Sequence, residues 1–272
     1  MSWRTWAGWI VGLALVAGGA FAAHRLERRV HATPALREPP RFRLIDAPAG
    51  LDDQIEKYLA ALQDLVWIDG DVCQRVAGVL AQNGWVRQVR AVRKIEPPFI
   101  EISCDYRTPA AMVSSTSGDF FLVDAGRVRL PGQYRFHPSL MRVDGVSGAP
   151  PAAGEVWAAP ELAAALAIIG TLEREPFRDQ IVGVRVTNYR GRVDRRAPRI
   201  ELLTDARNGR IIWGSAPGEE VEENSVPHKL AILRANFAAN GRADANLPVI
   251  DIATLPGRYT IHALTDAADP DR

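Results

Sequence analysis

The sequence predicts an α+β protein: an N-terminal transmembrane helix, a small β-α-α-β-β unit, and a β-rich unit with two helices. Three observations favour this. Residues 6–23 carry no charge, helix and strand periodicities alternate over 41–107, and short strands with turns dominate from residue 108. With 272 residues, 47% of them hydrophobic, and a net charge of +1, the chain can bury two cores and is not typical of disordered or nucleic-acid-binding proteins.

The first element is the uncharged segment 6–23 (WAGWIVGLALVAGGAFAA). A helix needs about 20 residues to cross the hydrocarbon core, so this segment predicts a transmembrane helix after a short cytoplasmic tail, residues 1–5. Trp6 and Trp9 lie where indoles favour the headgroup layer. A cleaved signal peptide is the alternative, because residues 20–22 (AFA) fit a small-x-small cleavage site. Either way, we expect the rest of the chain outside the cytoplasm.

The arginine distribution opposes that orientation. Only Arg4 and the amino terminus precede the apolar segment, and the arginines that follow it are Arg25, Arg28, Arg29, Arg37, Arg41 and Arg43. The positive-inside rule alone would favour a cytoplasmic location for the bulk of the chain. The polar, proline-containing residues 24–40 predict a tether to the folded part.

Residues 41–107 predict one compact unit. Phe42 and Leu44 alternate with arginines, as in a half-buried strand. A first helix is indicated by the helical spacing of Leu51, Ile55, Leu59 and Leu62. A second is expected to begin at an N-cap, Asp69 or Asp71, and to end at 83–84 (NG). Strands over 85–93 and from Ile100 to Tyr106 complete a three-stranded sheet with two helices over one face.

Residues 108–263 predict a β-rich domain, followed by a disordered tail at 264–272. We expect helices from Pro160 to about Glu173 and from Ser225, a candidate cap, to 240–241. Asn208 and Gly209 favour a hairpin. The expected strands are 120–124, 127–130, 181–186, 200–204, 210–213, 249–252 and 258–262.

Motifs for catalysis are missing from the sequence. It contains no nucleophile elbow, P-loop, dinucleotide-binding glycine pattern or zinc-protease helix. We therefore expect a non-enzymatic protein without catalytic residues, cofactor or metal; an envelope hydrolase with an unrecognised site is an alternative. The acidic run 219–223 is interpreted as a solvated loop, with a weak cation site as the alternative. Cys73 and Cys104 are expected to be buried free thiols, although an oxidised pair stays open.

Short motifs in a fixed order make the chain similar to the FtsQ/DivIB family of bacterial cell-division proteins. Residues 85–89 (WVRQV) resemble the family's W-V-x-x-V strand, and a Pro-Pro pair at 97–98 precedes the Ile100 strand. Residues 106–110 (YRTPA) resemble the E-R-x-P-x-A junction, and 122–126 (LVDAG) the L-V-D-x-x-G hairpin. Lys229-Leu230 opens a helix, and residues 249–252 (VIDI) resemble the V-D-L strand.

The resemblance implies a POTRA domain at 41–107 and a β domain at 108–263. It implies a single-pass inner-membrane protein, N-terminus cytoplasmic and bulk extracytoplasmic, enriched at the division site. Such a scaffold would link early division proteins to septal peptidoglycan synthesis. Its expected partners are coiled-coil division proteins of FtsB/FtsL type, with the septal wall synthase complex as a further candidate. A POTRA-bearing envelope protein for polypeptide transport or secretion is the alternative function.

The resemblance also implies where a partner binds, near the C-terminal strands. An exposed sheet edge offers N–H and C=O groups that a partner segment can complete by β-augmentation. The candidate partner-binding residues are Ile250, Ile252, Tyr259 and Ile261. Alternatively, these four side chains form only the apolar face of a strand.

Overall fold

A computed structural model describes residues 16–25, 28, 34–48, 50–62, 64–197 and 199–255. Its helices are α1 (Pro34–Arg37), α2 (Asp52–Leu59), α3 (Val72–Leu80), α4 (Pro160–Leu172) and α5 (Val226–Asn240). Its strands are β1 (Arg41–Ile45), β2 (Val86–Lys94), β3 (Phe99–Tyr106), β4 (Pro109–Ser114), β5 (Phe120–Asp124), β6 (Arg142–Asp144), β7 (Ile181–Arg185), β8 (Ile200–Thr204), β9 (Arg210–Gly214) and β10 (Val249–Asp251). The predicted α+β class is confirmed.

The predicted transmembrane helix over residues 6–23 is not supported by the structure. Across the described ranges, no helix combines the length and the hydrophobicity needed to cross a bilayer. Residues 16–25 are helical, whereas residues 1–15, which hold most of the predicted span 6–23 and all of the predicted tail, lie outside the described residues.

The chain divides into two compact units between Tyr106 and Arg107. In the first unit, β3 lies between β1, which is parallel to it, and β2, which is antiparallel. Ile100 and Ile102 on β3 are fully buried, and so are Ile55 on α2 and Val76 on α3. The apolar residues that recur at helix and strand spacing in the sequence therefore form one core between the sheet and the helices α2 and α3.

The second unit is built on a seven-stranded mixed sheet in the order β10-β9-β8-β7-β6-β4-β5. The pairs β4/β6, β6/β7 and β9/β10 are parallel, and the others are antiparallel. The register aligns Val143, Val184, Leu202, Ile211 and Ile250 across five neighbouring strands. These side chains share the face that packs against α4 and α5 in the main core.

The opposite face of this sheet is polar towards β10. The next row of the register aligns Asp144, Arg185, Glu201, Ile212 and Asp251. Successive residues of a strand point to opposite faces, so these charges lie away from the helices. The sheet thus has one apolar, helix-covered face and one face rich in charge near its β10 edge.

Several local expectations change. Residues 127–130 form only isolated bridges, Val123 to Arg129 and Val128 to Val156, rather than a strand. Asp71, one of the two aspartates expected to cap α3, is the N-cap residue of that helix, but its side chain makes no cap hydrogen bond. Ser225 likewise precedes α5 without a side-chain cap bond, and Pro at the first turn starts that helix instead. The predicted strand 258–262 and the tail 264–272 lie outside the described residues.

Candidate interaction site at the β10 edge

The two edges of the seven-stranded sheet differ in how they are covered. At the β5 edge, Phe120 exchanges backbone hydrogen bonds with Tyr134 at 2.9 and 2.8 Å, and Leu130 donates to Leu122 at 2.8 Å. The chain therefore covers that edge with its own following segment. Within the described part of the chain, no strand pairs with the outer side of β10. This leaves β10 as the edge where another chain can add a strand.

The backbone of β10 presents two residues outwards. Arg210 donates its N–H to the carbonyl of Pro248 at 2.9 Å, and Ile252 donates to the carbonyl of Ile212 at 3.2 Å. Even-numbered residues of this segment therefore face β9. Because hydrogen-bonding directions alternate along a strand, the N–H and C=O groups of Val249 and Asp251 point to the outer edge.

Exposed apolar side chains flank the edge. Leu247, just before β10, is 51% exposed, and Leu255, after it, is 39% exposed. Val221, in the loop that precedes α5, is 75% exposed. Exposed leucines and valines next to an open strand edge are suited to contact with another chain.

The structure describes two of the four predicted partner-binding residues. Ile250 lies on β10 and packs, partly buried, against the core, and Ile252 just beyond it is fully buried. Both side chains therefore point towards the helices rather than outwards. Tyr259 and Ile261 lie outside the described residues. The groups of this strand that can meet a partner are the backbones of Val249 and Asp251, which the sequence reasoning did not name.

The chain beyond β10 is held by a turn and by a neighbouring segment. The Asp251 carboxylate accepts hydrogen bonds from the backbone N–H of Ala253 at 2.8 Å and from the Thr254 hydroxyl at 2.6 Å. Asn224, which is buried, donates its side-chain amide to the carbonyls of Ile252 at 3.0 Å and Thr254 at 2.8 Å. These bonds fix the C-terminal end of β10 in one position.

A partly buried ion pair, between a buried lysine and a half-buried glutamate, lies behind that segment. Lys229 of α5 is fully buried, and its Nζ lies 3.4 Å from Glu223 Oε2 and 5.2 Å from the centroid of the Trp213 ring. Burial lowers the pKa of Lys229, and the nearby carboxylates of Glu223, Glu220 and Asp251 oppose that shift. Lys229 is part of the Lys229-Leu230 motif and lies in the first turns of α5, but its burial could not be predicted from the sequence.

The polar face beside the edge contains a cleft of about 470 Å³ lined by Arg142, Arg185 and Arg210 together with Pro248 and Val249. The arginines are paired within the sheet. Glu201 accepts from Arg185 at 3.1 Å and from Arg210 at 3.2 Å, and Asp144 accepts from Arg142 at 3.2 Å. Because the positive charges are compensated internally, the backbone edge is a stronger candidate for recognition than the cleft.

A second buried carboxylate, Glu161 on the first turn of α4, holds a loop of the same unit. Its Oε1 accepts from the Ser147 backbone N–H at 2.8 Å and from Arg192 at 2.7 Å. Burial raises the pKa of this group, but the hydrogen bonds from Ser147 and Arg192 outweigh burial and lower it to about 2. Ser147 and Arg192 thereby keep Glu161 ionised, as a structural anchor for the loop that contains Ser147.

The described residues offer neither a metal cluster nor a disulfide. Among the described residues, no group of three or more His, Cys, Asp or Glu side chains could hold a metal ion. Cys73 is half-buried and Cys104 is buried, and both are free thiols. Burial raises the pKa of Cys104, which favours the unreactive thiol over the thiolate. Both cysteines are thus free thiols as expected, but the expected burial is confirmed for Cys104 and wrong for Cys73, which is half-buried.

Comparison with models of known protein families gave no match, and a search of curated proteins gave none either.

Proposed function

We propose that this protein is a non-enzymatic, single-pass inner-membrane scaffold of the cell-division machinery. It links early division proteins to septal peptidoglycan synthesis by binding a coiled-coil partner of FtsB/FtsL type through the outer edge of β10. The observation that carries the proposal is the outward-facing backbone of Val249 and Asp251, with which no strand pairs in the described part of the chain. The short sequence motifs that resemble the FtsQ/DivIB family supply the class of partner.

The geometry supports an added strand over a side-chain pocket. β10 is only three residues long and parallel to β9, so it is a weak edge that a partner strand would extend. An added strand would gain main-chain hydrogen bonds at Val249 and Asp251 and apolar contacts at Leu247 and Leu255. Affinity would then come from the backbone, and specificity from the flanking leucines.

The N-terminal segment 6–23 is part of the same proposal. Its uncharged sequence would anchor the two folded units at the inner membrane, with the bulk of the chain extracytoplasmic and enriched at the division site. N-terminal sequencing of the mature protein tests this directly, because a retained Met1 or Ser2 is expected and a new terminus near residue 23 would indicate cleavage.

Co-purification tests the scaffold role. The full-length chain is expected to co-purify from membranes with a small coiled-coil division protein, and deletion of residues 247–263 is expected to abolish this. The deletion should leave the first unit folded, since β10 belongs to the other unit. Co-purification that survives the deletion would count against β10 as the binding edge. A fluorescent fusion that never concentrates at the septum of dividing cells would count against the division role.

A further inference from the structure

The position of β10 depends on a segment that is not a strand of its sheet. β9 ends at Gly214, and beyond that point Glu223 and Asn224 run antiparallel to the chain that follows β10. The Asn224 N–H donates to the carbonyl of Ala253 at 2.7 Å. The 223–224 segment thus takes the place of β9 as the backbone neighbour of residues 253–254.

Glu223 fastens this segment to the end of β9. One of its carboxylate oxygens accepts the Ser215 backbone N–H at 2.8 Å, and the other accepts the Ser215 hydroxyl at 2.9 Å. A side chain at Gly214, whose φ is +90°, would collide with the Glu223 carboxylate and would come within 2.7 Å of the Ala253 Cβ. The glycine therefore allows Glu223 and the end of β10 to approach the same point of β9.

Lys229 holds the same carboxylate of Glu223, with Nζ 3.4 Å from Oε2. A fully buried ammonium group is stable only when a carboxylate and other polarisable groups surround it, and here Glu223 and the Trp213 ring do so. Since moving Glu223 away would leave Lys229 buried without its partner, the pair permits one position of the 223–224 segment. Removing one member of such a pair is costly because the other charge is then left without its partner in a buried site.

We infer that the Lys229–Glu223 pair is the positioning element of the docking edge: it holds the 223–224 segment, which in turn holds β10 with the backbones of Val249 and Asp251 facing outwards. This inference rests on the proposed role of β10 in partner binding. Lys229 itself contacts no partner; it acts through Glu223 and Asn224.

Backbone hydrogen exchange of the full-length chain tests the inference without any partner. The Lys229→Met variant and the Lys229→Met/Glu223→Met double variant are compared with the wild type, using a peptide over 247–255 and a reference peptide over 181–186 in β7. The double variant leaves no buried charge without a partner. It also removes the hydrogen bonds that Ser215 donates to Glu223, which Lys229→Met keeps. Arg234→Met is the matched control, because Arg234 lies on the same helix but pairs with Glu175.

We expect exchange over 247–255 to be at least about 10-fold faster in both Lys229 variants, with the reference peptide unchanged and Arg234→Met behaving like the wild type in the 247–255 peptide. Wild-type protection of 247–255 in the double variant would overturn the inference. So would equally faster exchange in both peptides, because that pattern reports general destabilisation and no specific control of β10.

Partner binding separates this inference from the proposed function. The double variant is expected to bind the co-purifying FtsB/FtsL-type protein at least about 10-fold more weakly, because its edge is no longer preorganised. Faster exchange with unchanged affinity would overturn the positioning role while leaving the binding edge intact. Failure of the proposed function is measured separately, as the partner affinity of a variant that blocks the outer edge of β10 and leaves the Lys229–Glu223 pair unchanged.

Discussion

Blocking the outward backbone of β10 tests the binding edge most directly. The substitution Val249→Pro removes one N–H group that points away from β9, and it leaves the hydrogen bond to β9 through the Pro248 carbonyl in place. Proline is tolerated on edge strands for this reason. We therefore expect the variant to fold and to lose partner affinity.

The magnitude follows from the number of groups at the edge. Val249 and Asp251 each present one N–H and one C=O, so a partner strand can make four backbone hydrogen bonds here. Val249→Pro removes one donor, and the partner carbonyl that it met is left unsatisfied at a cost of about 1–3 kcal/mol. That cost corresponds to a dissociation constant about 5–150 times higher.

The assay is binding of the proposed coiled-coil partner, once it co-purifies, to the full-length chain. Val249→Ala is the matched control, since it shortens the same side chain but keeps the N–H group. Its dissociation constant should stay within about threefold of the wild type, because surface substitutions usually change free energies by less than about 0.5 kcal/mol. If Val249→Pro binds as tightly as Val249→Ala, the added-strand reasoning is wrong.

Three further predictions concern the fold that presents this edge. Because the pKa of Glu161 is lowered from 4.5 to about 2, its ionised form adds about 3 kcal/mol of stability that is present above pH 4.5 and lost as the pH falls towards 2; in Glu161→Gln, denaturant titrations should show a flatter loss over that range. Gly214→Ala should destabilise by at least about 1 kcal/mol more than Gly218→Ala in the same titrations, because both glycines have positive φ but only Gly214 lacks room for a Cβ. Ile252→Ala should lower the free energy of unfolding by about 2–5 kcal/mol, as truncation of a fully buried isoleucine does, and a value under 1 kcal/mol would contradict its place in the core.

The periodic elements could be predicted from the sequence because a single signal dominates each. Leu51, Ile55 and Leu59 mark α2, and all three are buried. The Asn208-Gly209 signal lies in the loop between β8 and β9, which pair as an antiparallel hairpin. In these segments the local pattern and the tertiary contacts agree.

Strands without such a pattern were missed. β4 begins at Pro109 and is rich in alanine, and β6 has only three residues, 142–144, so neither shows a strand-like alternation long enough to recognise. Both lie in the middle of the sheet order, where pairing with neighbours, including parallel ones, outweighs weak local preference. Parallel pairing joins segments far apart in the chain, and no local signal reports it.

The strand that the sequence predicts as the binding strand is the one that lies at an open edge of the described sheet, but the proposed contact atoms differ from the predicted ones, and binding there stays a prediction. The apolar residues of a strand are the ones that can be recognised in a sequence. Ile250 and Ile252 can be recognised in this way because their side chains pack in the core. The groups that the proposal assigns to the partner are backbone atoms of Val249 and Asp251, and backbone peptide groups cannot be recognised from residue types. A burial pattern identifies which face of a strand is inside, whereas strand order identifies an edge, and only the structure supplies that order.

The shortness of β10 limits unwanted strand pairing at its open edge. A long, flat, exposed edge strand invites pairing with any extended chain, including copies of itself. Here the open edge spans only two outward residues, and the turn at Asp251 and the clamp at Asn224 end it abruptly. Two residues supply too few hydrogen bonds for indiscriminate pairing, so a partner must add side-chain contacts, for instance to Leu247 and Leu255, to bind. Loosening the 223–224 segment would free residues beyond β10 for pairing, and so it would weaken the selectivity of the edge as well as the position of β10. This gives a physical reason for holding that segment with the Lys229–Glu223 pair.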